Sequence, residues 1–359
     1  MKASMAESTD AIEIDGSIGE GGGQVLRSCL TLSLITGKEL RIRNIRSRRR
    51  NPGLMPQHLK AVEAAATIGN ARCEGAHLGS QSLIFEPRGI RSGQFHFDIG
   101  TAGSTSLVLQ TILAPLSFAN GPSAVTVKGG THVPWSPCFH YLDLHWIHYM
   151  RQIGFDLHLD MELAGFYPQG AGVVHAVVRP AAQLLPLRLI ERGQLKRIQG
   201  ISAVANLDVS IAERQRDQAL GRLADRFPNI DITIQKMPSL FRGTTLLLIA
   251  EFEQSQCCYF GLGARGKRAE RVADEAVDQL LEFFATHGAI DERLADQVVL
   301  PLSFAPGISR LRTSKVTQHL LTNAKVLKAC LSVDVEVDGE VGQSGLVQVN
   351  GIGPPRFRS

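Results

Sequence analysis

One histidine in this chain directly precedes an apolar run. In T-S-K-V-T-Q-H-L-L-T-N-A-K-V-L, Thr313 to Leu327, His319 is followed by Leu320, Leu321, Ala324, Val326 and Leu327, a spacing that predicts a helix. An imidazole at a helix start can attack an electrophilic phosphorus. The free N–H groups and positive dipole end there would hold the phosphate oxygens. Histidine also forms covalent intermediates near neutral pH. A histidine beside apolar residues is more commonly a satisfied structural side chain, so a second signal is needed.

That signal is I-D-G-S-I-G-E-G-G-G-Q-V-L-R-S, Ile14 to Ser28: a strand start, a glycine-rich turn, then a helix, with Glu20, Gln24 and Arg27 at the junction. Glycines let a backbone approach a phosphate closely, and a helix start binds it. No G-K-[ST] follows, and the glycines are not in the G-x-G-x-x-G dinucleotide arrangement. The turn is either a phosphate cradle or a tight, capped turn.

Downstream, R-I-R-N-I-R-S-R-R-R (Arg41 to Arg50) carries six arginines in ten residues. Guanidinium groups bind phosphate bidentately, so this stretch is a candidate phosphate-binding surface. Arg41 and Arg43 alternate like the solvent face of a strand. A further cluster, His140, Asp143, His145 and His148, crowds one helix. The spacing of His145 and His148 permits metal binding. The interleaved Trp146 and Tyr149 favour a half-buried helix with histidines along its edges.

The elements that must position these residues form repeats. Ile18-Gly19-Glu20-Gly21-Gly22 leads into an apolar helix, Val25 to Ile35, and a strand from Leu40 to Ile45. Ile99-Gly100-Thr101-Ala102-Gly103 leads likewise into Leu107 to Phe118 and a strand from Ala124 to Val127. Second helices, Gln57 to Ile68 and Phe139 to Ile153, each end at a glycine before another strand. Each unit therefore reads strand, loop, helix, strand, helix, strand. A third copy is expected through Asp296 to Val337, with Val298 to Phe304 as a strand and His319 at a helix start. Repeats of this size predict an α/β (α+β) fold of pseudo-symmetric units around one axis, with clefts between them. Residues 191–283 break the pattern and read as a small inserted αβ domain between the second and third units. The expected organisation is a tail at 1–11, a large domain from 12–190 plus 284–340, the insert, and a C-terminal tail at 341–359.

The chain has 359 residues, is 44% hydrophobic and carries a net charge of +4, so any nucleic-acid surface must be local. No run of eighteen apolar residues occurs, and M-K-A-S-M-A-E-S-T-D lacks an apolar h-region; no membrane partner and a cytoplasmic location are expected. Six scattered cysteines without C-x-x-C spacing are expected to be free thiols.

The motifs together resemble the RNA 3'-terminal phosphate cyclase family, from about Ile12 to Asp338. They are D-G-S-x-G-E-G-G-G-Q-x-L-R (Asp15 to Arg27), P-G-L-x-x-Q-H-L (Pro52 to Leu59), G-T-A-G-S-T-S-L-V-L-Q-T (Gly100 to Thr111), G-G-T-x-x-P-x-S-P (Gly129 to Pro137), G-F-Y-P-x-G-x-G (Gly165 to Gly172), G-x-R-G-K-R-A-E (Gly263 to Glu270), L-A-D-Q (Leu294 to Gln297) and Q-H-L-L-T-N (Gln318 to Asn323). The resemblance implies a large three-unit domain with a smaller inserted one. It implies ATP-dependent conversion of an RNA 3'-phosphate end to a 2',3'-cyclic phosphate, through AMP carried on His319. It further implies that Glu20 ligates a divalent metal, Mg or Mn. Gln24, Arg27, Arg46, Arg49 and Gln57 would seat the RNA terminal phosphate. Gln110, Pro137, Arg293, Leu294, Ala295, Asp296 and Gln297 would bind ATP.

Three positions depart from the pattern. Asn51 replaces a common Lys. His132 replaces an often acidic residue. Arg293 stands where relatives commonly carry an aromatic that stacks on adenine, although a guanidinium can also stack on a base. A second implied class is a non-catalytic cyclase-like factor in ribosomal RNA processing; those relatives lack the histidine found here as His319. Enolpyruvyl transferases use related repeated units but would need a different set of residues.

Overall fold

The computed structural model describes residues 11–354, so the expected N-terminal tail lies almost wholly outside the described residues. The first unit contains β1 (Ile12–Asp15), α1 (Gly23–Thr36), β2 (Leu40–Arg43), α2 (Pro56–Gly69), β3 (Arg72–Glu74) and β4 (Leu83–Glu86). The second contains β5 (Gln94–Asp98), α3 (Thr105–Leu116), β6 (Ser123–Gly129) and α4 (Phe139–Tyr141). A π-helical turn at Leu142–Trp146 joins α4 to α5 (Ile147–Ile153), and β7 (Asp156–Leu163) and β8 (Gly172–Arg179) follow.

The third unit opens with β9 (Arg188–Leu189). The insert follows: β10 (Leu195–Ala205), α6 (Ser210–Leu223), β11 (Ile230–Lys236), β12 (Gly243–Phe252), β13 (Gln256–Leu262) and α7 (Ala269–Phe284). The unit then resumes with α8 (Glu292–Leu302), β14 (Gly307–Thr313), α9 (Gln318–Leu331), β15 (Val335–Asp338) and β16 (Gly345–Gly351).

The three sheets share one topology. Their orders are β1-β2-β4-β3, β5-β6-β8-β7 and, written from the same edge, β9-β14-β16-β15. In each, the first pair is parallel and the other two are antiparallel. The helices close the arrangement cyclically: α3 packs on α2, α8 on α5, and α1 on α9. One core runs through all three units, and a second belongs to the insert. Leu26, Leu30 and Leu32 of α1 are almost wholly buried in the first. At roughly 1.5–3 kcal/mol per buried leucine, this helix is held by packing rather than by its glycine-flanked start.

Three expectations change. Residues 345–351 are not a tail: β16 pairs with β14 and β15 and completes the third sheet, with Val347 and Val349 facing the core. Residues 355–359 lie outside the described residues. The insert does not sit between units. It splits the third one, because β9 precedes it and pairs in parallel with β14. Val298 to Phe304 is not a strand, since most of it is the end of α8. Asp291 decides this: its carboxylate accepts from the backbone N–H groups of Arg293 and Leu294 and caps the helix. Leu294, Ala295, Val298, Val299 and Leu302 then fall on one buried face. The alternating arginines behave as expected, with Arg41 and Arg43 on the exposed face of β2.

Candidate active site

The first helices of the three units, α1, α3 and α8, converge on a cavity of about 470 Å³, closed on further sides by α9, the 135–137 loop and β13 of the insert. Its wall includes Gln24 and Arg27 from α1, Gln110 from α3, Arg293, Asp296 and Gln297 from α8, Pro137, and His319 from α9. These eight expected residues, spread over nearly 300 positions of sequence, share one space. Glu20 and Arg49 adjoin it through contacts to His319 and to each other.

His319 lies in the first turn of α9, where Thr317 caps the helix by accepting from Leu320 N. The imidazole Nδ1 is 2.6 Å from Gln24 Oε1 and 3.2 Å from Glu20 Oε2. Both partners are acceptors, so Nδ1 carries the proton and Nε2 keeps its lone pair. Gln24 also donates from Nε2 to the His319 carbonyl at 3.3 Å, gripping ring and backbone together. Partial burial lowers the imidazole pKa, and Arg27 and Arg49 push the same way against Glu20. The ring is therefore neutral and nucleophilic at physiological pH.

The glycine-rich turn is shaped by this contact. A Cβ on Gly19, whose φ is +59°, would stand 2.1 Å from Thr322 Oγ1 of α9. One on Gly23 would stand 2.2 Å from His58 Nε2 and 3.1 Å from an Arg27 nitrogen. Gly19 thus lets the first and third units meet across the site, and Gly23 lets α1 and α2 of the first unit close on each other.

Arg27 is set deep in the wall. Burial lowers its pKa to about 10, with Asp296 opposing, and it remains a cation at neutral pH. Burial raises the Asp296 pKa strongly, with Asp291 pushing the same way and Arg27 partly offsetting both. His58 is held neutral: burial, with Arg27 and Arg46 nearby, lowers its pKa to about 3, and its Nδ1 accepts from Met55 N at 3.3 Å. Gln110 donates to Gln297 at 2.7 Å across the cavity, and Asn323 links Ser28 of α1 to the Asp296 carbonyl of α8.

Other expected residues lie apart from the wall. Leu294 and Ala295 are fully buried, with side chains in the core. Arg46 curls back, donating to the carbonyls of Asn51 and Gly53 at 2.8 and 2.7 Å, and so shapes its own loop. Gln57 accepts from Ser104 N at the start of α3. Arg293 does reach the wall, but its guanidinium donates to Gln279 and lies over Phe260, 5.1 Å from the ring centroid. Its stacking partner in this structure is the insert.

Of the histidine cluster at 140–148, His148 lies on the exposed edge of the helix as expected, whereas His140 and His145 are buried. His145 is completely buried between Asp291, at 2.5 Å, and Gln256, at 3.1 Å. His140 is buried against His132, 2.9 Å away. Among the described residues no group of three side chains is arranged to hold a metal.

Trp135, Trp146, Asp291 and Asn323 escaped the residue-by-residue selection. Trp135 occupied a variable position within G-G-T-x-x-P-x-S-P. Asn323 closes the Q-H-L-L-T-N motif one turn beyond His319, the spacing that should have exposed it.

The six cysteines are free, and no helix among the described residues is long and apolar enough to cross a membrane. The family model for RNA 3'-terminal phosphate cyclase matches residues 18–337. The chain is 44% identical to the RNA 3'-terminal phosphate cyclase of Pseudomonas fluorescens, over 91% of this chain and 94% of that one. It is 41% identical to the protein of the same name from Hyperthermus butylicus, over 95% and 98% of the two chains. A solved enolpyruvyl transferase from Streptomyces tendae aligns with a TM-score of 0.39 at 11% identity, covering 96% of this chain and 49% of that one. With a matching model over most of its length and relatives above 40% identity, the chain belongs to the RNA 3'-terminal phosphate cyclase family.

Proposed function

We propose that this chain is an ATP-dependent RNA 3'-terminal phosphate cyclase in which His319 carries AMP. The observation that supports this most directly is the His319 geometry: Nδ1 is engaged by Gln24 and Glu20, while the ring lines a cavity large enough for a nucleotide. Nε2 attacks the α-phosphorus of ATP. The N–P bond forms, the bond to the β-phosphate oxygen breaks, and pyrophosphate leaves. Glu20, beside Nδ1–H, stabilises the positive charge that develops on the ring.

An oxygen of the RNA 3'-phosphate then attacks the AMP phosphorus. The P–N bond breaks, Nε2 recovers its lone pair, and an RNA-(3')pp(5')A end results. The neighbouring ribose 2'-OH attacks the activated 3'-phosphorus, loses its proton and expels AMP, closing the 2',3'-cyclic phosphate. Each step is an in-line transfer that needs positioning more than acid–base chemistry. Arg27, in the cavity wall beside Gln24, provides a fixed cation for phosphate oxygens.

Glu20 would hold a divalent cation, Mg or Mn, with phosphate oxygens and water completing the shell. One carboxylate suits that use, because Mg sites of this kind take much of their coordination from the substrate. The cation would supply charge neutralisation on the phosphates. Pro137, Gln110, Asp296 and Gln297 form the nucleotide side of the cavity, and Arg49 lies on the RNA side. The non-catalytic alternative finds no support here, because the histidine it lacks is present and poised.

The test is to incubate the protein with α-labelled ATP and metal, then add a 3'-phosphorylated RNA. Acid-labile label on the wild type, absent from His319→Asn, followed by a 2',3'-cyclic end on the RNA, is the expected result. Equal labelling of both proteins would remove His319 from the mechanism.

A further inference from the structure

Trp135 combines three features that folding alone does not explain. It is 99% exposed, although it is the largest kind of apolar side chain. Its φ is +65°, a left-handed value that is a genuine outlier for a bulky residue. It also lines the mouth of the same cavity as His319.

The local sequence accounts for the backbone. Val133-Pro134-Trp135-Ser136 is a turn with proline second and Trp135 third, closed by a Ser136 Oγ bond to the Val133 carbonyl at 3.2 Å. A positive φ at the third position is where glycine or asparagine belongs. The chain instead places an indole there and points it at solvent. Strain and exposure of this kind mark a residue kept for a ligand.

On the proposed cyclase reading, we infer that Trp135 is the platform on which the base of the RNA's terminal nucleotide stacks. The chemistry requires the 3'-phosphate to reach His319 inside the cavity. The nucleoside behind that phosphate must then stand at the opening, where Trp135 stands. Cyclisation further requires the terminal 2'-OH to be held against its own 3'-phosphorus, and fixing the base fixes the ribose. Stacking accepts any base, since every base offers a π face, which suits recognition of an end rather than of a sequence. The adenine of ATP has other apolar walls: Pro137 and Phe260 line the same cavity and are only partly exposed, unlike Trp135. Tyr167, 68% exposed, lies on a second loop hydrogen-bonded to this one through Thr131 N and the Gly165 carbonyl at 2.8 Å. The two hydrogen-bonded loops of the second unit therefore each carry an open aromatic ring, of which Trp135 lines the cavity.

The chain has two tryptophans, and Trp146, 3% exposed, lines the same cavity, so the Trp135 signal is taken as the difference between wild type and Trp135→Gly. The experiment titrates wild type, Trp135→Gly and Trp135→Phe with a short RNA ending in a 3'-phosphate, without ATP. Quenching in wild type and its loss in Trp135→Gly are expected. RNA affinity, measured by anisotropy, should fall roughly five- to a hundredfold in Trp135→Gly and be largely restored in Trp135→Phe. Glycine suits the backbone, so its melting temperature should hold or rise, whereas a structural role would lower it. Labelling of His319 by ATP should stay within about threefold of wild type.

Quenching of the Trp135 signal by ATP instead of RNA, or loss of labelling in Trp135→Gly, would overturn the proposal and assign the indole to the nucleotide. Unchanged RNA affinity in the glycine variant would overturn it outright. If no variant, wild type included, is labelled by ATP, the cyclase chemistry fails, while RNA quenching at Trp135 is judged separately.

Discussion

Among the described residues three histidines face carboxylates, and the difference between two of them locates the chemistry. His145 meets Asp291 at 2.5 Å, and His319 meets Glu20 at 3.2 Å. The first pair is completely buried, and both imidazole nitrogens are engaged, by Asp291 and by Gln256. The second lies at a cavity, its histidine side chain about half exposed, with partners only at Nδ1. The same two functional groups, imidazole and carboxylate, therefore serve opposite ends. The buried pair joins the π-helical turn of the second unit to the start of α8, using its binding capacity for the fold. The open pair keeps one nitrogen unspent, and that nitrogen can attack phosphorus. A histidine–carboxylate contact is thus no sign of catalysis until one asks which ring atom remains available.

The sharpest way to break this comparison is to exchange asparagine for each histidine. His319→Asn should eliminate protein labelling by ATP and reduce 3'-phosphate conversion by at least about a thousandfold, since no nucleophile replaces the lost nitrogen. It should still close an RNA supplied with a ready-made (3')pp(5')A end. His145→Asn should still be labelled, with its loss appearing in urea unfolding. Labelling that vanished equally in both variants at temperatures where both are folded would erase the distinction.

Asp291→Ala tests the structural pair from its other side. Asp291 accepts from His145, from the Tyr141 hydroxyl at 3.0 Å and from two backbone N–H groups of α8. Removing one partner of a buried ionic network costs about 3–5 kcal/mol, read as a lower urea midpoint. Burial alone would raise the Asp291 pKa, but His145 and the Leu294 amide bring it below the usual carboxylate range. Its contribution is complete above the unfolded carboxylate pKa and is lost as pH falls through the depressed folded value. Wild type should therefore lose stability on acidification more steeply than the alanine variant. Parallel curves would show that ionisation of Asp291 contributes nothing to stability.

The open pair was legible in the sequence and the buried pair was not, for a physical reason. His319 and Glu20 each sit in local patterns, a helix start and a glycine-rich turn, that can be read within fifteen residues. Asp291 closes a network with Tyr141, His145 and Gln256, and contacts over more than a hundred positions leave no local trace. The same limit explains α8. Val298 to Phe304 is a short apolar run with β-branched residues, equally suited to strand or helix, and the Asp291 cap settled it. The repeats were visible because glycines and apolar helices recur. The last strand of each unit was not, because a short alternating stretch such as Gly345 to Gly351 becomes a strand only through its neighbours. Arg293 lines the cavity, but the direction of its guanidinium depends on Phe260 and Gln279 of the insert, which no local pattern around it reveals.

Arg49 and Arg46 sharpen the comparison around the open pair. Arg49 approaches Glu20 at 3.6 Å, whereas Arg46 holds loop carbonyls. Arg49→Ala should weaken the RNA-dependent steps by about ten- to a hundredfold, the loss of one charge-assisted contact, while labelling by ATP persists. Arg46→Ala should instead disturb the loop, with a lower melting temperature accompanying its loss of cyclisation. Equal loss of labelling and cyclisation in Arg49→Ala would move that residue to the ATP side.

The smallest expected effect concerns pH. Partial burial lowers the His319 pKa, Arg27 and Arg49 lower it further, and Glu20 opposes them. The neutral ring is the nucleophile, so the acid limb of the labelling rate reports this pKa. Removing a nearby cation makes protonation easier, so Arg49→Ala should move the limb to higher pH. Removing the anion makes protonation harder, so Glu20→Gln should move it to lower pH. Glu20→Gln also withdraws the carboxylate proposed to hold the metal, so its rate should fall at every pH; the position of the limb, not its height, carries the information. High salt should draw the three limbs together, because part of each displacement is Coulombic and His319 is open to solvent. Two variants that shifted in the same direction would mean that the limb belongs to another group. The free nitrogen of His319 would then no longer control the first step.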